Sequence, residues 1–174
     1  VIYVSMEFWK WTAANGWEEI STSGEKPTQR TFLGEAWDPT RKRMIFFAGQ
    51  VGDYWSYAYN DTYALDVETG KWTKLNSGDG PSTRMHPHAV YDITRDRYIL
   101  FGGHTDIGDA NDLWAMDPET GDWNLFREAD NFTGESLGCL GSGSEVPSDY
   151  VDQDVSAPER RHRGMFTLMH DNIW

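Results

Sequence analysis

The sequence predicts an all-β protein assembled from a repeated four-stranded unit. Two long segments align when the chain is shifted by 54 residues, which brings Pro27 onto Pro81 and marks an internal repeat. Each unit holds short apolar stretches bounded by turn residues, as expected of β-strands, and helical periodicity is absent from the sequence. With 174 residues, 14% of them aromatic, the chain can bury a core.

The repeat is carried by several matched motifs, which divide the chain into whole and partial units. The matched segments are 27–30 with 81–84, 46–49 with 100–103, 60–63 with 111–114, and 66–72 with 117–123. Trp11 and Trp17 have the spacing of Asp66 and Trp72, and a Pro-x-x-Arg motif returns at 158–161. The predicted divisions are the last strands of a preceding unit at 1–26, whole units at 27–80 and 81–126, an insertion at 127–157, and the start of a further unit at 158–174.

Each whole unit is expected to form four short antiparallel strands, a to d. Apolar stretches such as 88–91 and 98–101 are joined by a short connection at 92–97. Gly70 and Gly121 follow Thr in a second short connection and supply a turn position with positive φ. Gly102 and Gly103 end a strand where a side chain would obstruct close backbone packing.

These motifs resemble the kelch repeat of galactose-oxidase-like β-propellers. The family pattern runs from Pro-x-x-Arg through an apolar strand and an aliphatic strand ending in Gly-Gly to Asn-Asp-Leu-Trp and a closing Trp. Gly102-Gly103, residues 111–114 and Trp123 match it, whereas Ala48 replaces the first glycine of the other pair. The resemblance covers nearly the whole chain except 127–157 and implies a β-propeller of four-stranded kelch blades.

The number of units is too small for a closed propeller. Propellers usually close with four to eight blades, and this sequence holds about three. Incomplete blades would leave unpaired strand edges, which favour aggregation. We therefore expect the chain to be part of something larger, with the remaining blades supplied by further polypeptide or by a partner copy.

Several residues recur with the repeat, and recurrence favours a structural role over catalysis. Arg30, Arg84 and Arg161 each end a Pro-x-x-Arg motif, and Asp61 and Asp112 occupy matching positions. We expect charge-assisted hydrogen bonds from these arginines to neighbouring backbone. The closing tryptophans are expected to pack between blades, and they are Trp17, Trp72 and Trp123.

The irregular sequence is predicted to gather on one rim, where a rigid scaffold presents function. The b–c loop at 50–59 contains Tyr54, Trp55 and Tyr57, which are suited to contacting a protein or a sugar ring. The alternative is that these aromatics fold inward and seal contacts between blades. The long connection at 127–157 reaches the same rim, either as a partner-contacting loop or as a disordered insertion.

The second b–c loop, 104–110, contains His104, Asp106 and Asp109. These residue types can ligate a cation, but their spacing matches no EF-hand loop, so a solvated polar loop open to a partner is favoured and no metal is predicted. His86 and His88 stand at the entry to an inner strand near the propeller axis. Packing or capping is favoured there over a binding site.

Composition excludes several classes of protein. The net charge of −13 disfavours binding to nucleic acid and to anionic membranes, and no apolar run approaches the length of a membrane span. The single Cys139 excludes an internal disulfide framework. The sequons at Asn60 and Asn131 make the chain a candidate glycoprotein and favour an extracellular or cell-surface location, with Asn131 the better acceptor.

The sequence therefore predicts a non-catalytic propeller scaffold that uses its irregular rim to hold a protein partner within a larger assembly, without a cofactor. Two alternatives stay open. The aromatic loop could recognise a glycan, or the protein could be a copper oxidase that resembles galactose oxidase and has its site in other blades. That chemistry implies copper held by two His and Tyr ligands with a Cys–Tyr cross-link, and no residue set in this sequence matches it.

Overall fold

The computed structural model describes residues 7–51, 58–106, 108–129, 168–169 and 172–173, and in this part of the chain the regular structure is all β. The strands are, in chain order from β1 to β13, Trp9–Thr12, Gly16–Glu19, Ser23–Gly24, Gly34–Asp38, Arg43–Phe47, Thr62–Asp66, Lys71–Asn76, His88–Asp92, Arg97–Thr105, Gly108–Met116, Trp123–Arg127, Leu168–Met169 and Asn172–Ile173.

The strands form two meandering antiparallel sheets and two hairpins. We call the sheet β4-β5-β6-β7 blade 1 and the sheet β8-β9-β10-β11 blade 2. The short strand β3 joins the outer edge of blade 1 by pairing parallel to β7. Strands β1 and β2 form the N-terminal hairpin, and β12 and β13 form the C-terminal hairpin. The predicted fold of four-stranded antiparallel blades is confirmed, and the described sheets do not close a ring.

Aspartate side chains shape the tight turns that join strand a to b and strand c to d. Asp38 Oδ1 accepts hydrogen bonds from the backbone N–H groups of Thr40 and Arg41 at 3.1 and 3.0 Å. Asp66 does the same for Glu68 and Thr69 at 2.9 and 2.8 Å. Such side-chain-to-backbone bonds favour a turn over continued extension, so the strands reverse where the sequence places these residues.

The main core lies between the two blades. Trp123 of blade 2 packs edge-on against Phe47 of blade 1, with ring centroids 5.0 Å apart. The inner strands β4 and β8 lie side by side, and the Tyr98 hydroxyl donates across them to the Gly34 carbonyl at 3.0 Å. Burial raises the pKa of Tyr98 well above its usual value, so its hydroxyl remains a donor.

The second core cluster lies between blade 1 and the N-terminal hairpin. Trp72 is buried against Phe46 of its own blade and Phe8 of the hairpin, with both ring centroids 5.3 Å away. Trp17, expected to pack in the same manner, is instead 69% exposed. The difference arises because Trp17 lies on the hairpin face opposite to Phe8, where no other described element covers it.

Charged side chains hold the blades together along the edge that carries these turns, which we call the turn edge. Arg41 of blade 1 reaches across to blade 2, where it donates to Asp96 at 2.9 Å and to Glu119 at 2.8 Å. Arg43 donates to the carbonyl of Pro118 in the same blade. The Arg41 guanidinium, followed by the Tyr91 hydroxyl, lowers the pKa of Asp96 to about 2.

This lowered pKa predicts an acid-sensitive contribution to stability. A carboxylate with a pKa of about 2 when folded and near 3.9 when unfolded stabilises the fold above pH 4 and loses that effect as the pH falls through 2. The Asp96 side chain is 44% exposed, so solvent screening reduces the contribution to about 1 kcal/mol or less. We expect the fall in unfolding free energy between pH 6 and pH 2.5, measured by denaturant titration, to be smaller in Asp96→Asn.

The control for this prediction is Glu68→Gln. Glu68 pairs with Lys42 on the same turn edge at 2.8 Å, but both side chains are more than 60% exposed, and exposed pairs contribute little. Its pH dependence should follow that of the wild type. A pH dependence in Asp96→Asn as steep as in the wild type would contradict the prediction.

Candidate functional site

The candidate site lies on the edge of the blades opposite the turn edge, which we call the loop rim. It is built from the segments that connect strand b to c and that lead from one blade into strand a of the next. Its described residues are 28–33, 48–51, 58–61, 77–87 and 102–112, excluding 107.

Arg30 anchors the part of the loop rim that belongs to blade 1. Its side chain is 2% exposed, and Nη1 donates to Asp61 Oδ1 at 2.5 Å and to the Ala48 carbonyl at 3.3 Å. The guanidinium carbon stands 3.8 Å from the centre of the Tyr59 ring, which is favourable for a cation over an aromatic face. These contacts join three separate segments of the rim.

Arg84 repeats this arrangement in blade 2. Its side chain is 2% exposed, and its two terminal nitrogens donate to the two carboxylate oxygens of Asp112 at 2.7 and 2.9 Å. Nη1 also donates to the Gly102 carbonyl at 2.9 Å, which corresponds to that of Ala48. The Trp114 indole N–H adds a bond to Asp112 at 2.7 Å. Two-pronged pairing of this kind fixes geometry strongly, so the rim rests on a rigid base.

The rim is also joined between blades through its backbone. The Arg84 N–H donates to the Tyr59 carbonyl at 3.2 Å, and the Gly49 N–H donates to the Arg84 carbonyl at 3.1 Å. Ala48 and Gly49 both have positive φ, 60° and 90°. Ala48, which departs from the glycine expected there, therefore still adopts the left-handed conformation that the turn requires.

The structure corrects the expectation of an open polar loop at 104–110. Strands β9 and β10 extend through this segment, with Thr105 paired to Gly108 and His104 paired to Asp109. His104 and Asp109 are 4% and 5% exposed, and His104 Nδ1 lies 2.5 Å from Asp109 Oδ1. A buried polar pair can be stable when it is hydrogen bonded, which explains why a polar sequence forms a hairpin. Of the three polar residues, only Asp106 is exposed.

An aromatic pair on the loop rim was missed by sequence reasoning. Phe32 and His86 lie two residues after Arg30 and Arg84, and their rings stack with centroids 4.0 Å apart. Both residues have positive φ, 61° and 51°, and the His86 N–H donates to the Phe32 carbonyl at 2.9 Å. The only signal in the sequence was that two aromatic rings occupy equivalent repeat positions.

Positive φ at a bulky residue is uncommon and costs of order 1–3 kcal/mol. Two such residues at equivalent positions of successive blades are held there by the surrounding contacts. Phe32 is 41% exposed despite its size. The loop rim therefore presents an aromatic ring in a fixed orientation near the inner strands.

Several predicted site residues fall outside the part of the chain that the structure describes. They are Tyr54, Trp55, Tyr57, Asn131, Cys139 and Arg161. The other predicted glycan acceptor, Asn60, is half-buried, and its amide nitrogen donates to the Gly78 carbonyl at 2.9 Å. Because an oligosaccharyl acceptor needs this nitrogen to be accessible, the geometry argues against Asn60.

Across the described ranges, no group of three or more His, Cys, Asp or Glu side chains is arranged to hold a metal ion. No described helix has the length and hydropathy needed to cross a membrane.

Comparison with known proteins identifies the repeat. Residues 4–136 match the model of the KLHDC2/KLHL20/DRC7 Kelch-repeats domain. The chain is 30% identical over 141 residues to acyl-CoA-binding domain-containing protein 5 of Arabidopsis thaliana, covering 80% of this chain and 20% of that protein. It is 26% identical over 122 residues to Kelch domain-containing protein 10 of Xenopus laevis, covering 70% and 29%. The chain thus spans less than a third of the length of these relatives.

Proposed function

This chain belongs to the kelch-repeat domain family, and on that premise we propose that it is a non-catalytic scaffold that holds a protein partner within a larger assembly through its loop rim. Kelch domains commonly serve protein interactions, and fold alone does not fix the partner. The observation that carries the proposal is the stacked pair of Phe32 and His86, in which a partly exposed aromatic ring is held in strained backbone on a rigid base.

Phe32 has the properties of an anchor residue at a protein interface. Aromatic side chains are enriched at interfaces, and a few residues carry most of the binding energy. Its position is fixed before binding, so little conformational entropy is lost when a partner covers it. Phe32 also stands near Arg30, whose buried contacts make the surrounding backbone rigid.

The remaining predicted contacts extend this surface. Asp106 is exposed at the tip of the β9–β10 hairpin and can contact a partner directly. The buried His104 and Asp109 would act through the hairpin that they support. Tyr54, Trp55 and Tyr57 belong to the connection between β5 and β6, which reaches the same rim, so we retain them in the proposed interface.

The turn edge is less suited to this role. Its prominent arginine, Arg41, is already engaged with Asp96 and Glu119 of the neighbouring blade. A partner that recruited this side chain would have to break contacts between blades. The two edges therefore divide the work: the turn edge joins the blades, and the loop rim faces the partner.

The test uses Phe32→Asn with Lys42→Asn as its matched control. Both positions have positive φ, 61° and 52°, and asparagine tolerates that conformation. Lys42 lies on the turn edge and is exposed. The wild-type chain and both variants are immobilised and exposed to an extract of the cells that express the protein, and retained proteins are quantified by mass spectrometry.

We expect at least one protein to be retained by the wild type and by Lys42→Asn, and to be reduced more than tenfold with Phe32→Asn. The double variant Tyr54→Ala/Trp55→Ala should reduce the same protein. Thermal melting of each variant checks that the fold is intact. Retention unchanged in Phe32→Asn, or no protein retained above empty beads by the wild type, would contradict the proposal.

A further inference from the structure

The two hairpins of this chain are halves of a blade. Blades 1 and 2 each contain four strands in sequential order, whereas β1–β2 and β12–β13 are separate two-stranded sheets. A hairpin alone is only marginally stable in water. Which half each hairpin represents can be determined from its register against the complete blades.

The N-terminal hairpin corresponds to strands c and d. In blade 1 the closing Trp72 pairs across strands with Leu65, and in blade 2 Trp123 pairs with Met116. In the hairpin, Trp17 pairs with Trp11 in the same way.

Alternation along a strand adds one further residue to the same face in each case. The three equivalent sets are Tyr63, Leu65 and Trp72; Trp114, Met116 and Trp123; and Trp9, Trp11 and Trp17.

Exposure separates the hairpin from the complete blades. Tyr63, Leu65 and Trp72 of blade 1 are each less than 8% exposed. The equivalent face of the hairpin is exposed throughout, at 52% for Trp9, 60% for Trp11 and 69% for Trp17.

The opposite face of the same hairpin is already in place. Phe8 packs against Trp72, and the Ile20 N–H donates to the Phe8 carbonyl at 2.7 Å. Three neighbouring tryptophans left in water are therefore the open side of an otherwise docked half blade.

The C-terminal hairpin corresponds to strands a and b. It follows the Pro-x-x-Arg motif at 158–161, as β4 and β8 follow theirs. Met169 and Asn172 pair at the turn of the hairpin, as Asp38 and Arg43 do in blade 1. Strand β12 lies beside β8, as β8 lies beside β4. The hairpin therefore begins the blade that follows blade 2.

We propose that two copies of this chain close one ring, with β13 of each copy pairing antiparallel to β1 of the other. One copy holds strands c and d, two whole blades, and strands a and b, which is three blades in total. Three is below the four to eight blades of closed propellers, but two copies give six. The partner occupies both open features at once: its β12–β13 completes the sheet, and its blade 2 covers the tryptophan face.

The register of the new pairing follows from blade 1. There Arg43 pairs with Asp66 and Met44 with Leu65. Asn172 and Ile173 take the places of Arg43 and Met44, since both pairs flank the a–b turn in the same way. Trp11 takes the place of Leu65. Asn172 of one copy therefore pairs with Thr12 of the other, and Ile173 pairs with Trp11.

Oligomeric state tests the association. Sedimentation equilibrium on the purified chain should give twice the chain mass of 19.9 kDa. Trp11→Asp/Trp17→Asp should give a monomer, while Ile93→Asp, a control at an exposed apolar residue in a blade 2 turn, should remain a dimer. A wild-type monomer at tens of micromolar, or a dimer that survives the double tryptophan variant, would overturn the proposal.

A disulfide trap tests the register without relying on disruption. In a Cys139→Ser background, Thr12→Cys/Asn172→Cys places two thiols at paired positions, whose expected Cα separation suits a disulfide. Mild oxidation should give a product of doubled mass on a non-reducing gel. Lys71→Cys/Asn172→Cys, with the first thiol on the outer strand of blade 1, should not cross-link. Cross-linking within one chain, or none in the paired variant, would contradict closure between copies.

Discussion

Replacing Arg84 by Met should destabilise the protein by about 3–5 kcal/mol, because it leaves a buried carboxylate without its main partner. Arg84 is 1% exposed, and Asp112 would keep only the Trp114 indole N–H from among the bonds described for it. The Gly102 carbonyl would lose its donor as well. The free energy of unfolding, measured by urea titration, should fall accordingly.

Two further variants separate this effect from the general loss of an arginine. Arg95 lies in a blade 2 turn with its side chain 48% exposed and donates to Asp92 at 3.3 Å, so Arg95→Met should cost less than about 1 kcal/mol. Arg84→Met/Asp112→Leu removes both buried charges and should recover part of the loss. A cost below 1 kcal/mol for Arg84→Met would show that the pair does not support the rim.

Truncating Trp72 to alanine should cost about 3–5 kcal/mol, as is typical when a large buried side chain leaves a cavity. Trp72 is 2% exposed and joins blade 1 to the N-terminal hairpin through Phe8. For a domain of this size the melting temperature should fall by on the order of 10 °C.

The matched control is Trp37→Ala. Trp37 is 41% exposed, so the same truncation removes less buried area and should cost no more than about 1–2 kcal/mol. Equal losses for the two tryptophans, measured by thermal melting, would contradict the assignment of Trp72 as the link between blade 1 and the hairpin.

The blades could be predicted from the sequence because each repeats its apolar strands and turn residues at fixed spacing. The positions of Arg84 and Asp112 in the motif also indicated that they serve the architecture, although their direct pairing needed coordinates. Trp17 shows the limit of the same reasoning: an equivalent position is buried only when a neighbouring element covers it.

The features that sequence reasoning missed depend on backbone conformation and on partners distant in the chain. His104 and Asp109 are polar and flank a short irregular stretch, so nothing in their periodicity indicates a strand, yet their mutual hydrogen bond allows both to be buried. The stack of Phe32 on His86 requires positive φ at two residues that rarely adopt it. Hydrophobic patterns carry no information about either.

Hydrogen exchange on the chain bound to the protein retained in the extract experiment tests the account most directly. We predict that partner binding slows amide exchange at 28–33 and 82–87 on the loop rim, while exchange in the turn edge segments 38–43 and 92–97 is unchanged. Protection confined to the turn edge, with the loop rim exchanging as in the free chain, would contradict the assignment of the loop rim as the interaction surface.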